Sequence, residues 1–143
     1  MVFIDKERII SYKLDIIESA RKLEELISVN DDDFIKDEKA ILAVRYLIIK
    51  VVEAMADIGK HLLAKIALKP VEEYGECFRE LGKNKIIEEN LSIKLIKLAG
   101  LRNLLIHRYW NIDDRKILHE CRNGADNLYE FIKTVDTLLL KYK

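Results

Sequence analysis

The sequence predicts an all-α protein, an antiparallel bundle of four long helices and one short helix. Apolar residues recur at helical spacing along most of the chain, and no alternating β pattern of useful length or internal repeat interrupts them. Only five glycines and one proline are available to break helices. A chain of 143 residues has the usual size of one domain, so we expect residues 1–143 to fold as a single bundle.

The first half of the chain is expected to form two long helices. The first covers about residues 4–29, and the polar run 30–33 ends it and caps the next helix. The second covers about 34–68 and ends before Pro70, because the residue before a proline avoids the α region. The stretch 40–55 is apolar on nearly every side, which places this helix at the centre of the bundle. The inward positions of the first helix are Ile9, Tyr12, Ile16, Ala20, Leu23 and Ile27.

The second half is expected to form one short and two long helices. The short helix lies near 73–81, and a long helix runs from about residue 90 or 92 to about Arg108. The acidic pair 113–114 caps the last helix, which covers about 114–141. The apolar positions of these two long helices are Ile93, Leu95, Ile96, Leu98, Leu101, Leu104 and Leu105, then Ile117, Leu118, Cys121, Leu128, Phe131, Ile132, Val135 and Leu138.

Charge is balanced over the whole chain but not along it. There are 25 basic and 25 acidic residues, so bulk electrostatics gives no reason to expect tight, unspecific binding to nucleic acid, and no DNA partner is expected. Residues 1–33 carry a balance of −4, whereas residues 94–143 carry a balance of +4. The last third of the chain is therefore the better place to look for an anionic ligand.

The remaining compositional features favour a soluble, cytoplasmic protein. Cys77 and Cys121 are far apart and form no Cys-x-x-Cys motif, so we expect two free thiols in a reducing compartment. The N-terminus becomes charged at once and has no signal-peptide core. Charged residues interrupt the most apolar stretch, 40–58, which makes it too polar for a membrane span.

Four polar side chains interrupt the otherwise apolar helix near residue 105, and they suggest phosphodiester chemistry. Asn103 and His107 lie about 40° apart on a helical wheel, and Arg102 and Tyr109 lie about 20° apart on the neighbouring face. Arginine presents a fork of donors that matches phosphate oxygens, and histidine exchanges a proton near neutral pH. Asparagine can orient an imidazole or hold a ribose hydroxyl, and tyrosine offers a stacking face and a hydroxyl.

The same spacing also sets a geometric problem. Arg102 and His107 lie about 140° apart on an ideal helix, so they can share a ligand only through the reach of arginine, a helix end, or a second subunit. Arg108, Arg115 and Lys116 form a modest basic surround that can contact RNA. From composition alone, an arginine and a histidine near a helix end are more often a surface pair than a catalytic set. Trp110 is similarly typical of core packing or an interface.

A polar stripe on the central helix has two interpretations. Glu53, Asp57 and His61 recur every four residues, and such a row can ligate a metal. Di-iron bundles, however, use Glu-x-x-His pairs on two helices, and this sequence contains none. We therefore expect a stripe that faces solvent or the helix of Arg102, and we expect no metal and no cofactor.

The segment around residue 105 also resembles a known family. Arg102, four further residues, His107, Arg108 and Tyr109 fit the Arg-x4-His-x-Tyr pattern of the HepT-like proteins, which belong to the HEPN superfamily of small all-α ribonucleases. The polar Asn103 directly after the arginine is also what the family prefers. The flanks 97–101 and 110–113, the central segment 45–61 and the segment 74–78 are similar as well, so the resemblance covers most of the chain.

The resemblance implies a toxin of a toxin–antitoxin pair that cleaves RNA without metal at a site built across a homodimer. It implies Arg102 and His107 as catalytic residues, Asn103 as their support, and Glu53 or Asp57 as a residue that orients Arg102. It also implies a minimal nucleotidyltransferase antitoxin, MntA-like, which transfers AMP to Tyr109 and silences the toxin.

Two other functions stay open at this point. One is a binding module in which the same residues hold a nucleotide phosphate and no bond breaks. The other is a structural partner that only docks a nucleotidyltransferase.

Overall fold

The computed structural model describes residues 2–108 and 110–142, and the all-α prediction is confirmed. The described residues form helices and no strand: α1 (Lys6–Ile27), α2 (Asp31–Lys36), α3 (Glu38–Ile66), α4 (Tyr74–Lys83), α5 (Glu89–His107) and α6 (Asp114–Lys141). Within these ranges, no helix combines the length and the apolar character needed to cross a bilayer.

The helix ends follow from side-chain caps. Asp5 begins α1 by accepting a hydrogen bond from the backbone N–H of Arg8 at 3.1 Å. Asp113 begins α6 by accepting from the backbone N–H groups of Arg115 and Lys116, at 3.1 and 3.2 Å. These carboxylates satisfy donors that the first helical turn leaves free, and they lie at the positive end of the helix dipole. The predicted bounds of α6 are confirmed. They were predictable because the sequence contains a recognisable cap at the start of this helix.

The predicted second helix over 34–68 is wrong at its start. The backbone is extended at Asp37, with φ −100° and ψ 93°, and this break separates the short α2 from α3. The Asp37 carboxylate accepts from the backbone N–H of Ala40 at 3.1 Å and so caps α3, while Asn30 caps α2. An aspartate side chain competes with the helical hydrogen bonds of its own backbone, which explains the break inside an otherwise periodic segment. In the part of the chain that the structure describes, the bundle thus has four long helices and two short ones.

Helix α3 lies at the centre of the bundle, as its apolar composition predicted. It packs against α1, α4 and α5, while α6 packs against α1 and α5. Its fully buried side chains include Val44, Val52, Met55, Ile58, Leu62 and Leu63. All six helices contribute to one hydrophobic core.

Helices α3 and α4 approach each other closely at Gly59. A Cβ atom at this position would lie only 2.7 Å from the Cys77 sulfur and 2.8 Å from a methyl carbon of Leu81. A larger residue at position 59 would therefore require the side chains of Cys77 and Leu81, or α4 itself, to shift. Burial raises the pKa of the Cys77 thiol to about 12, so this residue acts as a small apolar side chain. The close contact fixes the start of α4, and with it Tyr74, against the polar stripe of α3.

Candidate functional site

Arg102 is held on three sides. Its side chain is only 15% exposed and lies on α5, one and a half turns before the helix ends. One terminal nitrogen, Nη2, donates to Oε1 of Glu53 at 3.1 Å, and the other, Nη1, donates to the side-chain oxygen of Asn103 at 3.1 Å. The Cζ atom of Arg102 lies over the ring of Tyr74, 4.3 Å from the ring centre. The Nε atom is buried and has no hydrogen-bond partner among the described residues.

Glu53, rather than Asp57, is the carboxylate of α3 that contacts Arg102. Among the described residues, Asp57 has no hydrogen bond or ion pair within bonding distance, although it lies one turn from Glu53. Burial raises the pKa of Asp57, and the negative charge of Glu53 adds to this shift, while Lys60 and Arg8 oppose it. Of the two acidic residues expected to orient Arg102, Glu53 is therefore the one that contacts it.

His61 ends the polar stripe in a structural contact. Its Nε2 accepts a hydrogen bond from the backbone N–H of Asp5 at 3.1 Å, which ties α3 to the start of α1. Burial lowers the pKa of His61, and the positive charges of Arg8 and Lys65 lower it further. The neutral imidazole that results is the form able to accept this bond. Across residues 2–108 and 110–142, no three His, Cys, Asp or Glu side chains are grouped as metal ligands.

His107 is separate from Arg102 in a single chain. It is the last residue of α5 and is exposed, and it forms no hydrogen bond or ion pair to a described residue. Five residues of helix separate it from Arg102 by about 7.5 Å along the helix axis. The Arg102 side chain meanwhile turns toward Glu53 and Tyr74. Asn103 is also exposed, and its side-chain oxygen contacts Arg102 and not His107.

The structure describes most of the residues that follow α5. The prediction for Tyr109 lies outside the described residues. Trp110 is 72% exposed, so its expected core packing is wrong, and its place in an interface stays a prediction. Arg108 and Lys116 are exposed.

Arg115, the third basic residue expected to contact RNA, is engaged within the chain. Its guanidinium lies 3.6 Å from a carboxylate oxygen of Asp31 and 3.4 Å from one of Asp32. These contacts tie the start of α6 to α2. Arg115 is therefore less available to RNA than Arg108 and Lys116.

Two features of the site have no clear signal in the sequence. The Arg45 guanidinium forms two hydrogen bonds to Asp114, at 2.9 and 2.8 Å, and so fixes the loop after α5 to the central helix. The stacking of Tyr74 on Arg102 is the second. Both pairs join residues far apart in the chain, and helical periodicity carries no information about such partners.

Comparison with known proteins assigns the family. The family model described as Ribonuclease HepT-like matches residues 16–135. The chain belongs to this family.

Named relatives of this HepT-like chain are nucleases. It is 25% identical over 118 residues to the "tRNA nuclease HepT" of Aphanizomenon flos-aquae, covering 82% of this chain and 80% of the relative. It is 26% identical over 103 residues to the "mRNA nuclease HepT" of Shewanella oneidensis, covering 72% and 74%.

A solved structure shares the fold of the HepT-like chain. The tri-AMPylated Shewanella oneidensis HEPN toxin, solved in complex with MNT antitoxin, superposes with a TM-score of 0.84. The sequence identity is 22%, and the match covers 94% of this chain and 99% of that one.

Replacement of Asp57 by asparagine should stabilise the folded protein at neutral pH. Burial raises the pKa of Asp57 in the folded state, so the ionised carboxylate opposes folding. The free energy of unfolding therefore falls as the pH rises through the pKa of the folded state. We expect Asp57→Asn to raise the Tm at pH 7 and to lose this advantage below about pH 4, where the carboxyl is protonated in both states.

Thermal unfolding of both proteins from pH 3 to 8 measures this difference. Asp126→Asn is the matched control, because it removes an exposed carboxylate of α6 that forms no hydrogen bond or ion pair with a described residue. An equal Tm difference between Asp57→Asn and wild type at every pH would contradict the assignment of the burial effect to Asp57.

Proposed function

We propose that this HepT-like protein is an endoribonuclease toxin that cleaves RNA without a metal ion, at a site that two copies of the chain complete. The observation that carries the proposal is the arrangement of Arg102, whose charge is held in place while part of its donor set stays unused. A second copy and a nucleotidyltransferase antitoxin are its proposed protein partners.

The hydrogen bonds of Arg102 support a role in binding phosphate. A guanidinium has five N–H groups, and the described contacts use one on each terminal nitrogen. Each terminal nitrogen thus keeps one N–H for a pair of phosphate oxygens. In cleavage, Arg102 stabilises the negative charge that develops on the phosphorane, and Glu53 and Asn103 support its orientation.

His107 acts as the general acid or base in this proposal. As base, its imidazole takes the proton of a ribose 2′-hydroxyl, whose oxygen attacks the neighbouring phosphorus. The bond from phosphorus to the 5′-oxygen breaks, and an acid gives that oxygen a proton. The products are a 2′,3′-cyclic phosphate and a 5′-hydroxyl. The exposed position of His107 at the end of α5 supports contact with an RNA chain.

The separation of Arg102 and His107 supports a composite site. A two-fold axis beside α5 brings the arginine of one copy toward the histidine of the other. Helix α5 has apolar surface available for such contact, since Ile93 is 46% and Leu104 39% exposed. Helix α5 also lines an open cleft of about 560 Å³ together with α1, α3 and α6, and the apolar lining of this cleft includes Leu98, Leu101 and Leu128.

Charges on the two sides of the cleft also support pairing of identical chains. Lys94 and Lys97 line it on α5, and Glu120 lines it on α6. Under two-fold symmetry each copy sets its lysines against the other copy's carboxylate, which is self-complementary.

Silencing by a minimal, MntA-like nucleotidyltransferase completes the proposal. The enzyme transfers AMP to the Tyr109 hydroxyl, and the added phosphodiester carries one negative charge. This charge competes with RNA phosphate for Arg102 and for the exposed Arg108. Support comes from the position of Tyr109 in the family motif and from the AMPylated state of the Shewanella oneidensis toxin.

Loss of either catalytic side chain should abolish most of the cleavage. We expect His107→Ala to lower the rate by about 10²–10⁴-fold with folding intact. Arg102→Lys should also lower the rate strongly, because an ammonium group cannot form a two-pronged contact with phosphate. Cleavage of end-labelled RNA measures both variants, with His119→Ala on α6 as a control that removes a different exposed histidine.

Full activity in His107→Ala would contradict the general acid–base role. Wild-type protein that binds the RNA and leaves it intact would favour the non-catalytic binding module instead.

A mixture of two inactive variants tests the composite site. If each site takes Arg102 from one copy and His107 from the other, Arg102→Ala and His107→Ala chains that exchange partners form dimers with one intact site. About half of a random mixture is mixed dimer with one of two sites intact, so we expect roughly a quarter of the wild-type activity per dimer.

Activity before and after subunit exchange, with light scattering for the mass, measures this recovery. Monomers in solution, or a mixture no more active than its components, would contradict a shared site.

Tyr109→Phe should separate activity from silencing. Phenylalanine keeps the ring but lacks the hydroxyl that accepts AMP, so the variant should keep at least part of its RNase activity and escape the nucleotidyltransferase. Intact mass measurement after incubation with that partner and ATP detects each added AMP, and Tyr142→Phe is the control. A Tyr109→Phe protein that gains AMP and is silenced like wild type would contradict the role of Tyr109.

A further inference from the structure

The ring of Tyr74 lies close to two cations. Tyr74 is the first residue of α4, and the ring centre is 4.3 Å from Cζ of Arg102 and 4.8 Å from Nζ of Lys60. Both distances are within the range in which an aromatic face attracts a positive charge. The close packing of α4 on α3 at Gly59 holds the ring at this position.

We infer that Tyr74 is a positioning residue that fixes the plane of the Arg102 guanidinium for phosphate binding. This inference rests on the proposed ribonuclease function, because it assigns Tyr74 a part in the same site. The ring acts on Arg102 and does not touch the reacting atoms.

The contact with the Tyr74 ring uses no N–H group of Arg102, whereas the other two contacts of this side chain do. Glu53 and Asn103 each occupy one N–H group at the edge of the guanidinium. The Tyr74 ring occupies none, because its π electrons attract the positive face. Tyr74 thus restricts rotation of the guanidinium and leaves the remaining edge donors available to phosphate.

The second cation explains why an aromatic ring suits this position better than an aliphatic side chain. Lys60 and Arg102 carry like charges near the same ring and repel each other. The negative ring face attracts both and offsets part of this repulsion. A leucine of similar bulk fills the space without this attraction, so Arg102 is then held only by its contacts with Glu53 and Asn103.

Cleavage kinetics test the inference through the separation of kcat from KM. We expect Tyr74→Leu to lower kcat about ten-fold with a small change in KM, because a misdirected guanidinium weakens the transition state more than ground-state binding. Tyr74→Phe keeps the ring face and should restore most of kcat. The control Tyr142→Leu removes a tyrosine that lies 5.7 Å from a lysine at the far end of α6, and it should behave as wild type. Tyr74→Met replaces Tyr74→Leu if the latter does not fold.

Nitrogen-15 NMR of the arginine side chains tests the same inference without any cleavage. Arg102→Lys assigns the Arg102 signals by their disappearance. Hindered rotation in wild type and Tyr74→Phe should give separate signals for the two terminal nitrogens of Arg102, whereas Tyr74→Leu should average them. If Tyr74→Leu keeps separate signals and a wild-type kcat, even with a lowered Tm, Tyr74 only supports the fold and the inference is overturned. Protein that cuts no RNA but loses the separate signals in Tyr74→Leu would refute the proposed function while supporting the positioning of Arg102 by Tyr74.

Discussion

The contact between Arg102 and Glu53 is the constraint on which the site depends. It joins α5 to the central helix α3 through a guanidinium that is 15% exposed and a carboxylate that is 44% exposed. Because water still reaches the carboxylate, a pair of this kind contributes only about 0–1 kcal/mol to stability. Its main effect is geometric, since it turns the arginine toward α3 and occupies one N–H group of Nη2. The arginine therefore has a defined orientation before any ligand binds.

The rest of the fold brings the partners of this contact together. Apolar packing around α3 sets the positions of α1, α4 and α5, and Gly59 lets α4 approach until Tyr74 reaches Arg102. The ion pair between Arg45 and Asp114 holds the start of α6 close to the same central helix. Arg102 and His107 thus lie on the same helix, α5, and His107 is at the surface.

Local patterns account for what the sequence predicted, and long-range contacts account for what it did not. The start of α6 was predictable because Asp113 is a recognisable cap, and the central position of α3 followed from its apolar surface. The break at Asp37 was missed because the apolar period continues across it, although Asp37 belongs to a residue type that favours caps.

The features of the candidate site also divide into those that the sequence predicted and those that depend on long-range contacts. The family resemblance implied Glu53 or Asp57 as the partner of Arg102. Both residues occupy one face of α3, and only the packing of α5 distinguishes them. The role of Tyr74 depends on how α4 lies against two other helices, which no local pattern expresses.

The chemistry of the cut RNA ends tests the central claim most directly, because a metal-free reaction through Arg102 and His107 needs the ribose 2′-hydroxyl as nucleophile. A defined RNA cut in the presence of EDTA, and a matched RNA with a single 2′-deoxy residue at the cut site, are analysed by mass spectrometry. The account predicts a 2′,3′-cyclic phosphate and a 5′-hydroxyl from the first RNA and no cut at the deoxy position of the second. Ends that carry a 3′-hydroxyl and a 5′-phosphate, or cleavage at the deoxy position, would contradict it.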